Sequence, residues 1–333
     1  MHAGTTLNIV AHEDDDLLFL SPDLLHAIQA GRTVRTVFLC AGDAGADVDY
    51  WQGREAGAQA AYAQMCGVAN SWTQTDAGIV GHPIPVFTLS THPSVSLAFM
   101  RLPDGDSDGS GFPSTDHKTL QMLWTGKISI INAIDGSSIY TKETLISTLT
   151  SLMSAFQPDQ INTQDYVGTY GDGDHSDHHT VAYLVQAAMQ QYTTPHSFTG
   201  YEDYNTCFRP ANVTGAELIA KENAFYAYVQ HDPLVWRVPQ ILTKYCRVSV
   251  RFRQSVALSR LYARYWLKSL LHLLGLKRIP PCINRSYMGW LRRQYTVGSG
   301  SGGGNPLVVT KADLHQMIPV NAPVRLDGLD SSD

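Results

Sequence analysis

The sequence predicts an α/β fold built on a mainly parallel sheet, and three observations carry that prediction. Strand signals and helix signals alternate along the chain, the order that strand–loop–helix units produce. Acidic and histidine residues fall just after the strands, where ligands bind in such sheets. The 333 residues are 44% hydrophobic and 16% charged, enough apolar material for one large globular domain or two modest ones.

Each element follows from local residue chemistry. Leu7, Ile9 and Val10 mark a buried strand, and an apolar run resumes at residues 17–20, LLFL. Ser21, Pro22 and Asp23 read as N-cap, first helical residue and first-turn acid, with Gly31 as the stop. Residues 36–40 are a second buried strand that ends in the glycine-rich loop 41–45. A helix is expected over about residues 52–65, closed by Gly67. Residues 71–102 read as β-rich, with Val95, Leu97 and Phe99 alternating against small residues. The polar loop 102–112, LPDGDSDGSGF, has the glycine turns of a substrate-facing rim. Further on come an amphipathic helix over 141–156, a short strand at 160–163 and a helix over 176–191. Thr214 and Glu217 form a capping-box pattern opening a helix that reaches about residue 230.

Composition excludes several classes of protein. The net charge of −6 argues against a nucleic-acid binder. No run approaches twenty apolar residues, so no integral membrane segment is expected. The first six residues, MHAGTT, run directly into a strand and leave no room for a signal peptide. The chain therefore carries no address, which fits a secretory or extracellular protein if an upstream signal has been removed and a cytoplasmic one otherwise. Five cysteines without regular spacing indicate neither a disulfide scaffold nor a Cys-rich zinc site.

The chemistry concentrates in two clusters. After the first strand stand His12, Glu13, Asp14, Asp15 and Asp16. Four adjacent acids between apolar residues repel one another and require positive charge nearby: a helix N-terminus, an arginine or a metal ion. The second cluster, GDGDHSDHH, places His175, Asp177, His178 and His179 where a helix begins. The positive end of the helix dipole discourages imidazole protonation there and favours neutral, metal-ligating histidines. His12 and Asp15 can converge across a strand-to-helix turn, and His178 completes two histidines and one carboxylate. Three protein ligands with one open position is the pattern of catalytic Zn2+, although another divalent ion would also fit. Asp14, beside the ligand, is placed to take a proton from water.

At these residues the chain resembles the LmbE-like (PIG-L) family of zinc-dependent de-N-acetylases. The first family motif, A-H-x-D-D-E, corresponds to residues 11–16, and the second, H-x-D-H, to residues 175–178. Between them, Gly42-Asp43-Ala44-Gly45 matches a G-[ED]-x-G loop and Arg54-Glu55 matches an R-E pair. The likeness covers about residues 6–232 and returns near 290–295. It implies a Rossmann-like fold, zinc on His12, Asp15 and His178, and Asp14 as general base. It also implies His175 as the group assisting the oxyanion or leaving amine, Asp177 orienting a neighbouring histidine, and Arg54 touching substrate. Asp43 is taken as substrate-facing with Arg54. Tyr170 is the nearest stand-in for a tyrosine that some relatives carry at the position of Gly173. Glu13 and Asp16 replace the family's commoner proline and glutamate. The expected reaction removes acetyl from an N-acetylglucosamine-type glycoconjugate. A metal phosphoesterase is the alternative, suggested by Asp177-His178-His179, as is a vestigial carbohydrate-binding protein.

Four segments are expected: a catalytic domain over 1–235, a basic insertion over 236–281, a return over 282–297, and a Gly/Ser linker with tail over 298–333. Between residues 236 and 295 there are thirteen Lys or Arg and no Asp or Glu. An anionic-surface contact is one reading of that run. An insertion foreign to the fold, such as an intron read as coding sequence, is favoured over it. A variant joining Val235 directly to Cys282 is accordingly expected to fold and retain zinc. Loss of soluble protein on that deletion would show that the segment packs as part of the domain.

Overall fold

The computed structural model describes residues 4–235 and 285–297. The segments expected at 236–281 and 298–333 lie outside the described residues. Eight strands form the main sheet, in the order β10-β9-β8-β1-β2-β5-β4-β3. Its centre is parallel: β9 (Ser197–Tyr201), β8 (Gln160–Thr163), β1 (Thr5–Val10), β2 (Thr33–Cys40) and β5 (Val95–Leu102). Both edges turn antiparallel, through β4 (Pro85–Leu89) and β3 (Trp72–Asp76) on one side and β10 (Thr296–Val297) on the other. A separate two-stranded ribbon pairs β6 (Ile131–Asn132) with β7 (Ile139–Tyr140).

The central strands are covered on both faces, and β1, β2 and β5 are buried along most of their length. Two cores result. On one face, α1 (Asp23–Gln29), α2 (Val48–Cys66), α6 (Gly215–Val229) and α7 (Arg285–Leu291) pack around Phe38, Tyr62, Phe99 and Phe225. On the other, α3 (Leu120–Trp124), α4 (Lys142–Phe156) and α5 (Ser176–Met189) pack on Ile9, Leu39, Met100 and Ile161. No described helix is long and apolar enough to cross a membrane.

Strand order reverses between β1 and β8, because the chain goes from β1 to β2 on one side and comes back to β8 on the other. That switch point opens a crevice beyond the carboxyl ends of the strands, and His12, Asp14 and Asp15 line it. The apolar run after the acids is a π-helical turn, Asp16–Leu20, with all five residues buried. The next helix starts at Asp23, one residue later than the Ser21-Pro22 signal suggests. The cap expected at Thr214 also differs: its side chain makes no capping bond, and Gly215 follows at φ +59°. Elsewhere the caps match their signals. Gly67 closes α2 in the left-handed conformation, and Thr141 forms a capping box with Thr144.

Two contacts tie the far end of the chain to the crevice. Lys221 on α6 is fully buried and donates to Leu18 O at 2.7 Å and Arg293 O at 2.9 Å. Burial holds its ammonium down to a pKa of about 7. Helix α2 meets α6 where Gly57 has no side chain, and a Cβ there would stand 2.8 Å from the Tyr228 ring and 2.9 Å from its carbonyl oxygen. Backbone cannot yield to that contact as a flexible side chain would. Gly57→Ala should therefore lower unfolding free energy by about 1–3 kcal/mol, despite alanine's better helix propensity. Denaturant melts check this, and an unchanged or raised midpoint would show that the two helices part at little cost.

Candidate metal centre

One strand end and one helix start carry the centre. The loop after β1 carries His12, Asp14 and Asp15, and the first turn of α5 carries Asp177 and His178, with His175 as its N-cap. Asp15 stands between the two histidines. Its Oδ2 lies 3.2 Å from His12 Nδ1 and its Oδ1 lies 3.1 Å from His178 Nε2. It also accepts the His12 backbone N–H at 2.7 Å and the Gln164 carboxamide at 3.1 Å. All three side chains are buried.

His178 shows most directly what the centre is suited to hold. Its Nδ1 lies 2.8 Å from Asp174 Oδ1, so the proton belongs on that nitrogen and the Nε2 lone pair faces Asp15. Nε2 is buried and has no well-formed hydrogen bond, an orphan that a cation would satisfy. Two imidazoles and a carboxylate are a donor set that zinc accepts. His12, His175 and His178 also offer nitrogens within 4.8 Å of one another. A second grouping, His12, Asp104, His175 and Asp177, shares His12 and His175 with the first.

Electrostatics divide the neighbouring acids. Burial pushes Asp14 up to a pKa of about 6, even though the Arg54 guanidinium opposes the shift. Burial works on Asp15 as well, but His178 and His12 hold it well below the usual carboxylate range. Two adjacent carboxylates with pKa values forced apart are equipped for different tasks. The histidines divide too. Burial and His12 lower His175 to about 4, whereas Asp15 overrides burial and raises His12 and His178. Carboxylate contact at about 3 Å acts on His12 and His178 against the helix dipole, and a cation between them would take up the same carboxylate charge and leave both imidazoles neutral.

The remaining sequence candidates take varied places. Arg54 lines the cavity, yet most of its guanidinium is engaged by protein. It donates to Asp14 Oδ1 at 2.6 Å, Gly42 O at 2.8 Å and Tyr228 Oη at 2.7 Å. Asp177 Oδ2 lies 3.2 Å from His12 Nε2 and accepts the Gly105 N–H, and its own backbone N–H donates to His175 Nδ1. Asp43 does not line the cavity and instead accepts from Asp104 N and Gly45 N, fixing the loop after β5. Tyr170 also lies off the cavity wall, with its hydroxyl against Thr180 Oγ1. His179 sits between Asp172 and the Asp165 carbonyl.

Sequence reasoning missed Gln164, Asp174 and Asp203. Gln164 Nε2 bridges Asp15 Oδ2 and Asp203 Oδ1, while its Oε1 accepts Ala11 N at 2.7 Å. Position alone hinted at them, each falling at a strand end or helix start. Asp104, from the loop expected to face substrate, and Trp290, where the family likeness returns, also reach the cavity, of about 200 Å³, as do Tyr204, Asp232 and Tyr287, which no local pattern marked.

Several known proteins are similar to this chain. A likeness in fold was found to the zinc-inhibited form of teicoplanin deacetylase Orf2, at 15% identity and TM-score 0.41, covering 69% of this chain and 86% of that one. The N,N'-diacetylchitobiose deacetylase of Pyrococcus horikoshii gives 12% identity and TM-score 0.38, covering 68% and 70%. GalB, a 4-carboxy-2-hydroxymuconate hydratase, gives 14% and 0.38, covering 74% and 91%. No curated protein gives a match. The sequence model of GlcNAc-PI de-N-acetylase matches residues 7–189, which is more than half the chain and spans both acidic–histidine clusters. The chain belongs to the PIG-L (GlcNAc-PI de-N-acetylase) family.

Proposed function

We propose that this protein is a zinc-dependent hydrolase that cleaves the amide of an N-acetylated amino sugar, releasing acetate and free amine. The observation that carries the reading is the position of Asp15 between His12 and His178, with Asp14 beside it on the cavity wall. Family membership supports the same reading.

His12, Asp15 and His178 would hold the ion, and Asp174 and Gln164 would keep two of those ligands in place. Zinc there supplies Lewis acidity, polarising the amide carbonyl and making water a better nucleophile. Asp14 takes the proton of the attacking water, and Arg54 holds the carboxylate towards the cavity. Asp177 N–H occupies His175 Nδ1, so a neutral His175 carries its proton on Nε2. That N–H can donate to the developing oxyanion or to the departing amine. A phosphoesterase of the two-metal type needs two separate ligand sets. Two groupings here share no residue, His12, Asp104, His175 and Asp177 against Asp174, His178 and Asp203, so it is family membership that favours the amide hydrolase.

The neighbouring aspartates provide the test. Asp15→Ala should lose zinc and activity together, measured by elemental analysis and acetate release from N-acetylhexosamine compounds. Asp14→Asn should keep its zinc while the rate falls by about 10²–10⁴, the usual worth of a positioned base. A metal-free Asp14→Asn beside a zinc-loaded Asp15→Ala would mean that the two roles are exchanged. Asp174→Asn probes the support of His178. Zinc affinity by competition titration should weaken about 10–100-fold, the typical effect of removing a histidine's outer partner. Unchanged affinity would show that His178 needs no such support.

A further inference from the structure

Arg54 holds Asp14, and its own place is fixed from just beyond α6. There Asp232 is buried on the cavity wall. Its Oδ2 accepts the Tyr228 hydroxyl at 2.7 Å, and that hydroxyl in turn accepts the Arg54 Nε–H at 2.7 Å. The same Oδ2 lies 3.4 Å from Nε itself. Its Oδ1 accepts the backbone N–H groups of Leu234 and Val235 at 3.0 and 3.2 Å, which fixes the carboxylate in orientation. With Nη1 on Gly42 O and Nη2 on Asp14, every nitrogen of the guanidinium then has an acceptor. A competitor is close by. Glu13 Oε2 is 3.5 Å from Nε, and neither Glu13 oxygen has a hydrogen-bond partner among the described residues.

A buried carboxyl left without donors draws any guanidinium that is free to turn. The guanidinium is a rigid plane, so turning Nε towards Glu13 would take Nη2 off Asp14. We infer that Asp232 is a positioning residue for the proposed hydrolysis, keeping Asp14 turned to the cavity through Tyr228 and Arg54. The inference rests on the amide-hydrolase reading above and adds a support from outside the family match, which ends at residue 189.

Wild type, Asp232→Asn, Asp14→Asn and the double variant, all loaded with zinc, decide the matter by acetate release from N-acetylhexosamine compounds. Asp232→Asn should keep its zinc and hold KM within about twofold, while kcat falls about 10–100-fold, the scale on which misplacing a reacting group acts. In the Asp14→Asn background the same change should cost less than about twofold, since Arg54 then has no base to place. An unchanged kcat, or a fall of equal size in both backgrounds, overturns the inference and leaves Asp232 to packing alone. A raised KM in both backgrounds overturns it as well, because Asp232 then meets the substrate directly. Should Asp232→Asn fail to fold, Tyr228→Phe removes only the bridging hydroxyl and should show the same dependence on Asp14; a loss independent of Asp14 counts against the chain of contacts. Nitrogen NMR of the guanidinium supplies a readout without substrate. The Arg54 Nη–H signals, identified by their loss in Arg54→Lys, should be separate in wild type and averaged in Asp232→Asn. If wild type hydrolyses nothing while those signals still merge, the hydrolase reading fails and the hold of Asp232 on Arg54 stands. Signals that the substitution leaves separate overturn that hold.

Discussion

Burying four consecutive acids demands a compensating cation, and one guanidinium from α2 supplies most of it. Arg54 reaches across to Asp14, and its Nε lies 3.5 Å from Glu13 and 3.4 Å from Asp232. An ion pair buried this deeply stabilises only if its geometry is good and its other donors are satisfied. Here Gly42 O and Tyr228 Oη take the remaining directions. Gly42 must be glycine for this approach, since a Cβ would stand 1.9 Å from Arg54 Nη1. The glycine loop after β2, the start of α2 and the end of α6 are thus fixed by one side chain. Arg54 does not serve Asp15, which faces His12 and His178, or Asp16. Asp16 accepts the Tyr62 hydroxyl at 2.5 Å, and burial pushes its pKa up to about 8.

Much of the fold was legible because periodic patterns and caps are local. The strand at residues 160–163, the helix over Lys142–Phe156 and the stop at Gly67 appear where their residues place them. Strand β9 was not legible, since SFTGY contains glycine and a single fully apolar residue, and its place depends on pairing with β8. At Thr214 the capping pattern was present but Gly215 adopts a left-handed φ, and the hydroxyl makes no cap bond.

The site was legible in its ligand types and not in their supports. A histidine and an aspartate three residues apart declare themselves in sequence, because chemistry restricts which residues bind metals. A carboxamide such as Gln164, reaching from β8 to both Asp15 and Asp203, is defined only by the sheet order that sets β8 beside β1. The charge around the histidines is defined in the same way. The helix dipole is visible in sequence, whereas Asp15 between His12 and His178 is a tertiary fact.

Lys221 gives the molecule a direction in time. Its ammonium joins Leu18, near the start of the chain, to Arg293, close to the end of the described residues. Synthesis runs from the amino terminus, so every proposed metal ligand leaves the ribosome more than a hundred residues before Tyr287 and Trp290. A nascent chain could assemble the ion's ligands while one wall of the cavity is still unmade. The wall that Tyr287 and Trp290 form is therefore the last part of the cavity to be made as this protein is born, and the first that truncation would remove.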